Sequence, residues 1–328
     1  MKKQLRKAMI CTVAMMLVAV LTLTGVTYAW FSESDVAEVS GLEFNVEQSE
    51  GGVYISTNGK DPNSFGTSIA LSAGEDEYKP VSTAGEYTTD NRLQFFTGTL
   101  EGPYDSTVKI DSVDPTEKTG LYIEQDIYFD NSTGASDIQI ALSNGTDATT
   151  IAPVGEGATK NIHYATRVAI VTRGSVLAKN LFPSDEDLAN GVEQLDYSNE
   201  PVSLQIYENN ATTHVDTGIR EYKNINPEAS SGGKYDYYGL KKATTTDENA
   251  AGGVSRFPSG DNANFKKMTT ITDPTQVIIT VPAYSYLKTT IYVWIEGQDA
   301  DCQNEVSGQT FAANIKFCLV SGATNSGE

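Results

Sequence analysis

The densest cluster of chemistry-bearing residues in this chain is the phrase EGQDADCQN, residues 296–304. Glu296, Asp299, Asp301 and Asn304 place oxygen-bearing side chains close together between two strand-like runs. Hard cations such as calcium are held by clusters of this kind. The phrase lacks the turn glycine and the closing bidentate Glu of a full calcium loop. The same residue types also form Asx turns, which close a hairpin with no metal. The hairpin is the first reading. A calcium site built on Glu296, Asp299 and Asp301 is the second. The phrase also carries Cys302, and Cys318 follows on the polar face of the last strand-like run. In an exported chain such a pair can close a disulfide; the alternative is two thiols.

Catalytic groups are sparse. The histidines are His163 and His214. No HExxH places two of them on one helical face for zinc, and no GxSxG elbow presents a nucleophilic serine. Carboxylate pairs for glycoside hydrolysis exist in any chain with 43 acidic residues, and the sequence gives no separation between them. The chain therefore reads as a non-enzyme with no cofactor. Two aromatic groups are candidates for recognition instead. Tyr235, Tyr237 and Tyr238 sit in a Gly-rich stretch, and Trp294 lies in a strand-like run. Such rings stack on sugars, pack on a partner, or simply pin their own loop. The sequons at Asn131, Asn144 and Asn210 read as chance in a loop-rich chain.

The elements that must position these residues are strands. In LYIEQDIYFDN, Leu121, Ile123, Ile127 and Phe129 alternate with Tyr122, Glu124, Asp126 and Tyr128. Ile138, Ile140 and Leu142 repeat the period, as do Val277, Ile279 and Val281, then Ile291, Val293 and Ile295, then Phe311 through Leu319. RVAIVT, residues 167–172, is a continuous apolar run, the pattern of a strand covered on both faces. SDEDLAN, residues 184–190, predicts one short helical turn capped by Ser184 with Asp187 three residues on. Gly, Asn, Asp, Ser and Pro clusters separate these runs. The fold class expected is all-β, a two-sheet sandwich or barrel with long loop insertions. Residues 57–92, 143–162 and 208–264 are polar and read as loops or an insertion. Residues 321–328 read as a disordered tail with no LPxTG signal and no apolar anchor.

The N-terminus carries the remaining information. Lys2, Lys3, Arg6 and Lys7 precede an uncharged apolar run from Ala8 to Val26, and Thr27-Tyr28-Ala29 offers small residues for a signal peptidase. This is a secretory signal over residues 1–29, cut between Ala29 and Trp30. The run is also close to the length that spans a bilayer, so a retained anchor is the rival. Trp30 and Phe31 follow, then SESD. Leu42, Phe44 and Val46 then alternate with Glu43, Asn45 and Glu47 as a strand would. Residues 30–328 read as one domain opened by a strand segment over 30–47. The formal charge is −20, and removing residues 1–29 removes only cations. That excludes nucleic acid as a partner and suits a soluble surface protein.

TYAWF after a Lys-rich signal, followed by LEFNV, resembles the TasA/camelysin-like exported proteins of Gram-positive bacteria, which a SipW-type signal peptidase processes. LYIEQDIYFDN, YATRVAIV, VPAYSYLKTTIYVWIEGQDADC and FAANIKF are similar to surface proteins of clostridia that share this N-terminus. The resemblance covers both ends and the main strands, and not residues 208–264. It implies a jelly-roll-like sandwich at the cell surface or in a biofilm matrix. It also implies fibres in which the segment after the cleavage site completes a sheet in the next subunit. The corresponding positions here are Trp30, Phe31, Leu42, Phe44 and Val46. Implied partners are further copies of the chain, the signal peptidase during export, and a cell-wall or matrix polymer. Two alternatives stand beside this: a carbohydrate-binding adhesive module, and a camelysin-like secreted protease. Camelysins are classed as metalloproteases, and no zinc motif occurs here.

Overall fold

A computed structural model describes residues 37–46, 53–71, 77–100, 107–143, 148–154, 162–208, 237–240, 254–255, 265–268, 271, 276–297 and 308–320. The chain is an all-β sandwich. Its middle layer is an antiparallel sheet ordered β12 (Ser203–Glu208), β11 (Thr166–Leu177), β17 (Ser285–Ile295), β8 (Tyr122–Asn131) and β2 (Tyr54–Ser56). The facing sheet runs β16 (Ile279–Val281), β9 (Ile138–Leu142), β18 (Thr310–Leu319), β1 (Ala37–Val46) and β3 (Ser68–Leu71). β10 (Thr150–Val154) also pairs with β18, and β4 (Glu77–Tyr78) with β1. Ile127, Phe129, Val168, Ile170, Ile291, Val293 and Ile295 on the middle sheet pack against Leu42, Phe44, Phe311, Ile315 and Phe317 on the facing one.

The middle sheet is covered on its other face as well. A smaller antiparallel sheet, β14 (Val254–Ser255), β7 (Thr107–Ser112), β6 (Leu93–Leu100) and β5 (Ser82–Tyr87), lies over one end. There Tyr122, Ala169, Val171, Ile206, Tyr292 and Trp294 meet Val81, Leu93, Phe95 and Val113 in a second core. Successive residues of β11 and β17 thus enter opposite cores, Val168 and Ile170 one, Ala169 and Val171 the other. That is the physical reason for the unbroken apolar run RVAIVT.

The other end of that face is covered by helices α2 (Ala178–Leu181) and α3 (Asp185–Ala189) and the extended chain after them. Val176, Leu181 and Tyr286 pack there with Phe65, Phe182 and Tyr197. The expected turn at 184–190 is α3. Ser184 accepts from the Asp187 backbone and Asp187 reaches back to the Ser184 backbone, a complete capping box. Glycines let this covering lie close. A Cβ at Gly59 would stand 2.3 Å from the Tyr128 ring, and one at Gly174 would stand 2.8 Å from Ser198. A third short helix, α1 (Ile162–Ala165), precedes β11, and β13 (Tyr237–Leu240) pairs with β15 (Phe265–Met268).

Two expectations need correction. Residues 57–92 are not simply loop, since β3, β4 and β5 fall within them, and residues 143–162 contain β10. β4 and β5 carry few apolar residues, and β3 (SIAL) and β10 (TIAPV) are too short to show a period. β5 is held by ladder bonds and by polar burial, whereas Ile69, Leu71 and Ile151 of β3 and β10 pack on the main core. Thr83 is buried and its hydroxyl donates to the Gln94 carbonyl, so periodicity had little to report. Residues 208–264 lie mostly outside the described residues, as does the tail 321–328.

Candidate functional site

The N-terminal strand is the feature with the strongest positional logic. Alternation puts Leu42, Phe44 and Val46 on one face of β1, and all three are buried in the main core, Phe44 completely. β1 is an interior strand. One edge runs parallel to β18, from Glu38 opposite Thr310 to Val46 opposite Phe317, with a register shift at Val39/Gly41. The other edge pairs antiparallel with β3 through Leu42–Leu71 and Phe44–Ile69, and with β4 at Ala37–Tyr78. On the opposite face Asn45 Nδ2 donates to Asn314 Oδ1 at 3.1 Å. The first described strand therefore lies beside the last, and its loss would open a slot between β18 and β3.

The remaining predicted residues divide. Ala29, Trp30 and Phe31 lie outside the described residues, as do Asp299, Asp301, Cys302, His214, Tyr235, Asn144 and Asn210. Glu296 is described, and it is fully buried. Its carboxylate accepts from Trp294 Nε1 at 2.9 Å, and its backbone is bonded to Ala165 and bridged to Val81. That places Glu296 in the second core, away from an open calcium loop. Among the described residues no group of three or more His, Cys, Asp and Glu is arranged to hold a metal. Cys318 lies half-buried in β18 opposite Ala141.

Trp294 is 1 % exposed, with its ring edge-on to Phe95 at 5.3 Å. It is a core residue and has no face to offer a sugar. Tyr237 and Tyr238 belong to β13. His163 sits in α1 against the Tyr164 ring. Asn131 is buried, and its amide donates to the carbonyls of Ser136, Val281 and Pro282. It is a structural bracket, with Gly134 pressed against it: a Cβ there would meet Asn131 Oδ1 at 1.9 Å.

Sequence reasoning missed an ionic network on the outer face of the middle sheet. Glu124 accepts from Arg92 through both carboxylate oxygens, from Lys118 Nζ at 2.8 Å and from the Tyr292 hydroxyl at 3.0 Å. Burial alone would push the Glu124 carboxyl up, but the Arg92 and Lys118 bonds outweigh it and hold it below its usual range. Burial pushes the Tyr122 phenol up to about 12 and raises Tyr292 too. Arg173, 3 % exposed, donates to the carbonyls of Asn91 and Asn199 at 2.6 Å each and to Thr290 Oγ1 at 3.1 Å. At the end of the face Arg167 and Glu208 form a fully buried ion pair at 2.9 Å. The signal was present in the sequence as charged residues alternating with aromatics on β8 and β17. A buried, mutually paired face looks the same as a solvated one until the covering sheet is known.

Among the described residues, Glu124, Glu208, Glu296, Arg92, Arg167 and Arg173 are each bonded to a partner inside the fold. Comparison of the chain with protein-family models, with curated proteins and with solved structures finds no match.

Proposed function

We propose that this chain is an exported, non-enzymatic surface or matrix protein that assembles with further copies of itself through its N-terminal segment, residues 30–46. The observation that carries this is the placement of β1. It is the first described strand, bonded along both edges, and buries Leu42, Phe44 and Val46 in the main core. A segment at a chain end can be shared between subunits without threading the rest of the fold, and backbone bonds with alternate apolar side chains are the means by which added strands bind. The signal-like opening and the acidic composition support an extracellular setting. The resemblance to TasA/camelysin-like proteins supports fibres in particular.

The experiment is electron microscopy of material exported by a Gram-positive host, with N-terminal sequencing of the same sample. The expected result is a start at Trp30 and filaments that vanish when residues 30–40 are deleted, leaving a folded monomer. Filaments that persist unchanged after that deletion overturn the reading. A start at Met1 in membrane fractions makes residues 8–26 an anchor and removes the fibre.

A further inference from the structure

An amine, a carboxamide and a carboxylate meet on the outer face of the middle sheet. Lys288 on β17 is 12 % exposed, and its Nζ stands 2.8 Å from Asp126 Oδ2 and 2.7 Å from Asn199 Oδ1. Strand register places two of the three. Thr290 lies opposite Asp126 and Lys288 opposite Tyr128, so Lys288 and Asp126 share one face, one pleat apart. Asn199 comes from the covering chain. That chain is seated where Ser198 meets Gly174 and where the Tyr197 ring packs on Tyr128 at 4.7 Å.

One guanidinium fixes the arrangement. Arg173 donates to the Asn199 carbonyl and to Thr290 Oγ1, and Thr290 donates in turn to Asp126 Oδ1 at 2.8 Å. The amide-bearing residue and the acid are thus both positioned by a buried cation. Asp196, a further carboxylate toward Lys288, is paired with Lys60 at 2.7 Å. Lys60 and Lys118 make ion pairs of the same length, but they are more open, at 72 % and 34 % exposed.

We infer that Lys288 and Asn199 form an intramolecular isopeptide bond, with Asp126 as the proton carrier. Asp126 takes a proton from the Lys288 ammonium, and the free amine adds to Asn199 Cγ. The Nζ–Cγ bond forms and the Cγ–Nδ2 bond breaks. The two protons shed by the lysine nitrogen leave on the departing nitrogen, which goes off as ammonium. Asp126 passes them on and ends as the carboxylate it began. No electrons are transferred, and the step asks for no co-reactant. A 2.7 Å contact to Oδ1 puts Cγ about 3–4 Å from Nζ, near the separation of atoms held ready to react. Asparagine χ2 is a broad torsion, so the amide plane can turn to face the amine. The bond forms once in the life of the chain, so a slow step suffices.

The bond ties the third layer to the middle sheet. Asn199 and Lys288 are 89 residues apart, and the stretch 208–264 lies within the loop they close. A cross-link stabilises chiefly by restricting the unfolded chain, more so for a long loop. This inference does not rest on the assembly reading.

The test is peptide mapping by mass spectrometry of the full chain made in a Gram-positive host, denatured and digested. The expected product is a branched fragment joining the Asn199 and Lys288 peptides, lighter than their sum by one ammonia. Lys288→Arg keeps a cation beside Asp126 and cannot make the bond. It should lose the branched fragment, and its thermal midpoint should fall by about 5–10 °C. Asp126→Asn leaves both reactants present and should cut the yield of branched fragment at least ten-fold. Separate Asn199 and Lys288 peptides at full yield from the parent overturn the inference and leave an ordinary ion pair. A fragment lighter by one water joins Lys288 to a carboxylate and overturns the assignment to Asn199. An undiminished branched fragment in Asp126→Asn overturns the role of Asp126 and upholds the bond. If Lys288→Arg fails to fold, Asn199→Ala, on the exposed covering chain, carries the same expected loss of fragment.

Discussion

The two faces of the middle sheet are covered by different means. The inner face packs Ile127, Phe129, Leu287, Ile291 and Val293 on the facing sheet, with β1 contributing Leu42, Phe44 and Val46. Its cohesion is apolar area, which is non-directional. The outer face is held by directional contacts as well. One guanidinium, Arg173, bonds both the turn at Asn91 beside β6 and the covering chain at Asn199. Arg92 ties the same turn to Glu124 on β8. The outer interface is specific to the residues that make it.

The largest effect that can break this comparison lies on the inner face. Phe44→Ala removes a fully buried ring from β1 and is expected to cost about 3–5 kcal/mol. Urea unfolding of the monomer checks it. A loss below about 1 kcal/mol would mean that β1 adds little to its own core.

The next effect lies on the outer face and has a different signature. Arg167→Met leaves the Glu208 carboxylate buried without its partner and is expected to cost about 3–5 kcal/mol. Replacing both, Arg167→Met with Glu208→Leu, removes the charges together and is expected to recover most of that loss. The pair's worth is therefore registry, not net stability, and a double-mutant cycle in urea measures it. Equal losses in the single and double variants would show the outer face to be an ordinary packed core, and the contrast between faces would disappear.

What could be read from sequence follows the same division. Alternation in LEFNV, in LYIEQDIYFDN from Ile123 on and in FAANIKF reported the inner face, because apolar packing imposes period two; Leu121, read with that face, precedes β8 and packs with the second core instead. RVAIVT announced that its strand is covered twice. The outer cover itself left little trace. β5 is STAGEY, whose buried members Ser82 and Thr83 are small and polar. Nothing local announces that β1 lies parallel to β18 at the other end of the chain. Trp294 looked available because Tyr292, Trp294 and Glu296 mimic a wet face. Their burial depends on β6 supplying Phe95, a long-range fact. Of the proposed strand segment, Leu42, Phe44 and Val46 come together as expected, while Trp30 and Phe31 lie outside the described residues.

The smallest expected effect separates the faces by pH. Glu124 is held below its usual 4.5 in the fold by Arg92 and Lys118, against the opposing push of burial. A depressed carboxyl binds its proton more readily in the unfolded chain. Its contribution is therefore complete above the unfolded value and is lost as pH falls below it and through the folded value. The outer face should weaken between neutral pH and acid, and the inner face, with no carboxylate in it among the described residues, should not. Thermal midpoints from pH 7 down to about 3 test this in the parent and in Glu124→Gln. The glutamine variant starts lower at pH 7, because Arg92 and Lys118 lose their charge partner, and its midpoint should fall less steeply with acid. Parallel slopes in the two proteins would assign the acid response to other carboxylates and leave Glu124 a packing contact. A flatter slope in the variant makes the Arg92–Glu124–Lys118 cluster the acid-sensitive seam of the third layer. β1, seated on the opposite face of the middle sheet, would then keep its place while that layer loosens.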